Sequence, residues 1–77
     1  MNELREWGKA YNYPHGALVL YTEDRTLLRT MSKRKSLSGT MEYLNNDKMV
    51  AWDLIFPKKA DRKYNRRLKK RLLALCE

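Results

Sequence analysis

The chain has 77 residues, 43% hydrophobic and 34% charged, with 17 Lys and Arg against 9 Asp and Glu. It reads as one small domain over residues 1–77, too apolar for a disordered tail and without the roughly 20 consecutive apolar residues that a membrane span requires. Its single cysteine, Cys76, excludes an internal disulfide and a cysteine-built zinc site. With no apolar leader in the opening residues, a cytoplasmic setting is expected.

Along residues 2–11, Leu4, Trp7 and Tyr11 recur at spacings of three and four, which predicts a short helix. Gly8 weakens it, and the turn before Pro14 ends it, because a residue preceding proline is pushed out of the helical region. Residues 17–21, ALVLY, form a continuous apolar run and predict a buried strand. Thr22 then reads as an N-cap, with Glu23 and Asp24 in the first turn. The helix they begin runs to about Arg34, with Leu27, Leu28 and Met31 facing inward. Lys33, Arg34 and Lys35 suit its negative pole, and Ser38-Gly39 stops it.

Residues 40–44 and 49–56 predict a hairpin closed by Asn45-Asn46-Asp47-Lys48. In its second strand Val50, Trp52, Leu54 and Phe56 share one face and Met49, Ala51, Asp53 and Ile55 the other. The Trp/Phe face is the expected core side, and Pro57 closes the strand. Residues 58–76 predict the last helix. Ala60, Tyr64, Leu68, Leu72 and Leu75 form a narrow apolar stripe, with Arg62, Arg66, Lys69 and Lys70 opposite and Lys59 and Lys63 flanking. Leu73 is the one apolar residue on the basic side. The expected fold is therefore α+β, in the order α-β-α-β-β-α. It comprises a small three-stranded, largely antiparallel sheet with helices packed mainly on one face. The direction of the first strand is left open.

Charge is concentrated at one end. Residues 58–71 hold nine basic side chains and one acid, Asp61, a net +8 that equals the excess of the whole chain. Such asymmetry points to a polyanionic partner. Candidate contacts are Lys59, Arg62, Lys63, Arg66, Lys69 and Lys70, extended by Lys33, Arg34 and Lys35. Asn65 and Arg66 are candidate base-edge readers, since Asn pairs with adenine and Arg with guanine.

Catalytic patterns are weak. His15 sits between Pro14 and Gly16 in a turn, and no serine spacing completes a triad with it. Glu42 and Asp53, with Lys58 nearby, resemble part of a nuclease set, but no second lysine or histidine completes it. No phosphate-cradling glycine loop and no metal or cofactor site is expected. Cys76 is penultimate, not fourth from the end as prenylation requires. The apolar stripe is too narrow for interfacial membrane binding once it also covers a sheet.

The expected function is non-enzymatic binding of nucleic acid, DNA or RNA, through phosphate contacts of the cationic C-terminal helix. The alternative is a protein-interaction module, an inhibitor or adaptor that engages an acidic protein surface, with Tyr11 and Tyr13 beside the Pro14 turn as anchors. Oligomeric state has no signature in the sequence.

Overall fold

The computed structural model of the protein describes residues 2–76. Its first element is a strand, β1, Glu3–Trp7. Leu4 packs into the core on one face of the sheet, and Trp7 packs on the other. This corrects the helix expected over residues 2–11. A spacing of three reads as one helical face, but in a strand it places two residues on opposite faces. Both faces are covered, so both residues are apolar.

Strands β2, Ala17–Thr22, β3, Gly39–Asn45, and β4, Lys48–Pro57, complete the sheet. It has four strands rather than three, ordered β1-β2-β4-β3, and every pairing is antiparallel. Chain order is β-β-α-β-β-α, an α+β fold. The hairpin between β3 and β4 turns on Asn46 and Asp47, with φ of 52° and 65°, the left-handed pair that a two-residue turn requires. Gly16, at φ +82°, brings the 8–16 loop back against β1; a Cβ there would lie 2.5 Å from the Trp7 carbonyl oxygen.

Helix α1, Arg25–Met31, is shorter at both ends than expected. Thr22 remains in β2, fully buried, and its hydroxyl accepts from the Asp24 N–H at 3.0 Å. Asp24 is the N-cap instead, its Oδ1 accepting from the N–H groups of Thr26 and Leu27. Lys33, Arg34 and Lys35 consequently lie beyond the helix, in a turn over residues 32–38. Helix α2, Arg62–Leu73, is followed by a 3-10 turn, Ala74–Cys76. Asp61 caps α2 by accepting from Lys63 and Tyr64 N–H. The helix expected over residues 58–76 therefore starts four residues late. The Lys58 N–H instead donates to the Gly16 carbonyl at 2.9 Å, and Ala60 is exposed outside the helix.

Both helices pack on one face. There Leu18, Leu20, Trp52, Leu54 and Phe56 meet Met31 of α1 and Leu68 and Leu72 of α2. The other face has its own cover: Ala17, Val19 and Ile55 are buried beneath Trp7 and Tyr13. Val50, expected in the core, is exposed together with Leu44 and Met49 at the turn end of the hairpin, beyond the helix-covered residues, where the β3–β4 register also shifts between Tyr43 and Leu44.

Candidate nucleic-acid interface

Helix α2 lies on the sheet through Leu68 and Leu72, with Tyr64 and Leu75 packed beside them. At about 100° per residue, Arg66 and Lys70 fall about 160° from Leu68, on the outer surface. Lys69 and Arg62 fall about 100° and 120° to one side; Arg67 and Arg71 fall about 100° and 60° to the other. All six are exposed, as is Lys63. Leu73 is exposed among them. At 12 residues α2 is about 18 Å long, shorter than one duplex turn.

The side facing β1 is partly neutralised. Lys69 and Lys58 both pair with Glu6, Lys58 at 3.0 Å, so two of the nine C-terminal cations are matched by one carboxylate. These two ammonium groups hold the Glu6 carboxyl below its ordinary pKa, first through the Lys69 hydrogen bond. Asn65 is also committed. Its Oδ1 accepts from the Lys59 N–H at 2.8 Å and its Nδ2 donates to the Lys59 carbonyl at 2.7 Å. The amide that resembled a base-edge reader holds the approach to α2 instead.

The opposite side of α2 faces the 32–38 turn. That turn is anchored by Leu37, which packs on the core, and by the Ser38 N–H, which donates to the Ile55 carbonyl at 2.9 Å. Between turn and helix run two adjoining cavities of about 430 and 260 Å³, with Ser36 and Tyr64 lining both. Lys35, Ser38 and Lys59 line the larger, and Arg67, Arg71 and Leu68 the smaller. No carboxylate is among the lining residues. The Lys59 ammonium stands 4.3 Å from the centre of the Tyr64 ring, a cation–π contact.

The fold thus brings Lys35 of the second basic cluster opposite α2, with Lys33 and Arg34 exposed on the same turn. Among the described residues, Arg62, Lys63, Arg66, Arg67, Lys70 and Arg71 form no ion pair. Arg67, Arg71 and Ser36 are groove residues that sequence reasoning did not single out, and Tyr64, expected in the apolar stripe, lines the groove as well. Arg67 and Arg71 had a signal, a pair four residues apart beside the apolar stripe. The facing turn had none.

The two tyrosines of the alternative reading separate. Tyr11 is 100% exposed at the tip of a turn closed by reciprocal Ala10 and Tyr13 backbone bonds. Tyr13 packs against Trp7, ring centres 6.0 Å apart, and covers the open face. Glu42 pairs with Trp52 across the β3–β4 ladder, so it lies on the helix-bearing face, whereas Asp53 lies on the other. The two acids cannot share a metal. Among the described residues no three His, Cys, Asp or Glu side chains are gathered as a metal site would need, and no helix is long and apolar enough to cross a membrane. The Cys76 thiol is partly buried against α2, and burial pushes its pKa up. Comparison of the chain with protein-family models, curated proteins and solved structures finds no match.

Proposed function

We propose that the protein binds nucleic acid without catalysis, through phosphate contacts made by α2 and the 32–38 turn. The observation that carries this reading is the groove. Cations from two separate segments line its two sides, and no acid lies between them. Like charges facing each other across a cavity oppose folding, and a bound polyanion offsets that repulsion. Positions in the expected interface sort accordingly. Lys59, Lys63, Arg66, Arg67, Lys70, Arg71 and Lys35 are the proposed contacts, with Arg62, Lys33 and Arg34 at the periphery. Lys69 and Asn65 serve the fold through Glu6 and Lys59.

Fluorescence anisotropy with labelled oligonucleotides over a salt titration tests this. Each lost phosphate contact lowers the salt slope by about 0.9 on duplex and about 0.7 on single strands. The variant Arg66→Gln/Arg67→Gln/Lys70→Gln/Arg71→Gln is expected to fold, to bind unrelated sequences equally weakly, and to lose about 2.8 of the single-strand slope. An unchanged slope in the folded variant, or no wild-type binding at about 50 mM salt, rejects the reading.

A second reading, a protein-interaction module for an acidic partner, has one specific support. Among the described residues, Tyr11 and the hairpin residues Met41, Leu44, Met49 and Val50 expose apolar surface. A nucleic-acid-independent complex lost on Leu44→Ser would favour it.

A further inference from the structure

The cations of α2 form two surfaces of different shape. Arg66 and Lys70 stand on the convex outer side, while Arg67 and Arg71 line a groove opposite Ser36, which continues past Tyr64 to Lys35 and Lys59. We infer that the groove, and not the outer side, is the principal site, and that it takes the sugar–phosphate backbone of a single strand of nucleic acid. This rests on the proposed function and names its substrate class.

Four observations lead there. The groove is walled on both sides, so a flexible strand lying in it meets Lys35 and Lys59 in the larger cavity, and Arg67 and Arg71 opposite Ser36 in the smaller. A duplex offers phosphates on a broad convex surface and reaches one wall at a time. The lining supplies charged donors from Lys35, Lys59, Arg67 and Arg71, and neutral donors from Ser36 and Ser38, a mixture that suits phosphodiester oxygens. Tyr64 lines both cavities, an aromatic side chain beside a cationic track, which is the combination that single-strand sites use. Finally, α2 is badly equipped to read a duplex. Its asparagine, the amide suited to an adenine edge, is held by the Lys59 backbone.

The Lys59 ammonium already sits over Tyr64, so an entering phosphate has a cation to draw aside and a ring to uncover. The test compares a labelled 20-nucleotide oligothymidylate with a duplex of equal length, at about 0.1 M salt, in two folded variants. At that salt each single-strand contact contributes about fivefold to affinity. Arg67→Gln/Arg71→Gln is expected to weaken single-strand binding about 25-fold, Arg66→Gln/Lys70→Gln by clearly less, and wild type to prefer the single strand. Circular dichroism and the melting temperature establish folding of each variant. The inference is overturned if wild type prefers duplex, or if the outer pair carries the larger loss. It is also overturned if inorganic polyphosphate of matched charge displaces the oligonucleotide as well as unlabelled oligothymidylate does. Absence of binding to every nucleic acid overturns the proposed function itself, so the two failures are told apart.

Discussion

The two faces of the sheet are closed in different ways. On one, aliphatic and aromatic side chains of β2 and β4 meet residues from two helices, and Leu18, Leu20 and Leu54 have no exposed surface. On the other no helix lies. Strand residues are covered by the side chains of neighbouring strands and of the 8–16 loop: Trp7 and Tyr13 over Ala17, Val19 and Ile55, and Tyr43 beside Asp53. The second arrangement buries Ala17, Val19 and Ile55 beneath rings that themselves keep part of their surface in water. A domain of this size, with few residues to form a core, thereby hides every residue from Ala51 to Phe56 with only one helical layer. The helix-bearing face should hold the stability, and the other face should contribute less per residue.

The largest expected effect is therefore on the helix side. Phe56 is 1% exposed and packs among core leucines. Phe56→Ala should cost about 3–5 kcal/mol, a large share of the whole stability of a small domain. Urea denaturation measures it; a cost as small as that of an open-face truncation would erase the distinction between the faces. The intermediate effect is on the open face. Trp7 is half-buried, so Trp7→Ala should cost about 2 kcal/mol. The chain carries one tryptophan on each face, which sharpens the contrast. With Trp7→Phe and Trp52→Phe separating the signals, acrylamide should quench Trp7 and spare Trp52.

A smaller effect concerns the carboxylate inside the open face. Asp53 is 3% exposed; its Oδ2 accepts from the Tyr43 hydroxyl at 2.6 Å, and its buried Oδ1 has no partner among the described residues. The hydrogen bond to Asp53 raises the Tyr43 phenol pKa. A raised acid pKa means stability that is full below the ordinary phenol range and lost as pH rises through the folded value. Tyr43→Phe should lower the melting temperature by less than Trp7→Ala and abolish this alkaline dependence. Equal alkaline profiles in wild type and variant would show that the bond does not persist in solution.

Double coverage also explains which parts of the fold were legible in the sequence. The β3–β4 hairpin was legible because Asn46-Asp47 is a turn signal between two strand-like runs, and α2 because Tyr64, Leu68 and Leu72 mark a helical stripe. Strand β1 was not, because polar/apolar alternation fails when both faces are covered: Leu4 and Trp7 sit on different sides, and their spacing mimics a helix. The start of α1 was misplaced because Thr22 and Asp24 are both good caps, and only the length of β2 decides between them. The cationic stretch was legible as composition. The groove was not, since it depends on Leu37 and Ser38 fixing a turn opposite α2, a pairing of segments about thirty residues apart that no local pattern encodes.

The smallest expected effect lies at the rim of the helix-bearing face, where the carboxylate of Glu6 is exposed and ion-paired, unlike the buried Asp53. Glu6 is well exposed and holds two ammonium groups, Lys69 and Lys58, which tie α2 and its approach to the β1 edge. Its folded pKa lies below the ordinary glutamate value, so its contribution to stability is complete above about pH 4.3 and is lost as pH falls through the folded value. Because the pair is exposed and screened, that contribution should stay below about 1 kcal/mol. Glu6→Gln should flatten the acid limb of the stability profile and leave the profile above neutral pH nearly unchanged in shape. It also releases Lys58 and Lys69 without touching the groove. If the groove is the principal site, single-strand affinity should rise only through the added net charge and fade to the wild-type value as salt increases. A gain that survives high salt would mean that the freed Lys69 makes a close contact of its own, and that the side of α2 facing β1 belongs to the interface.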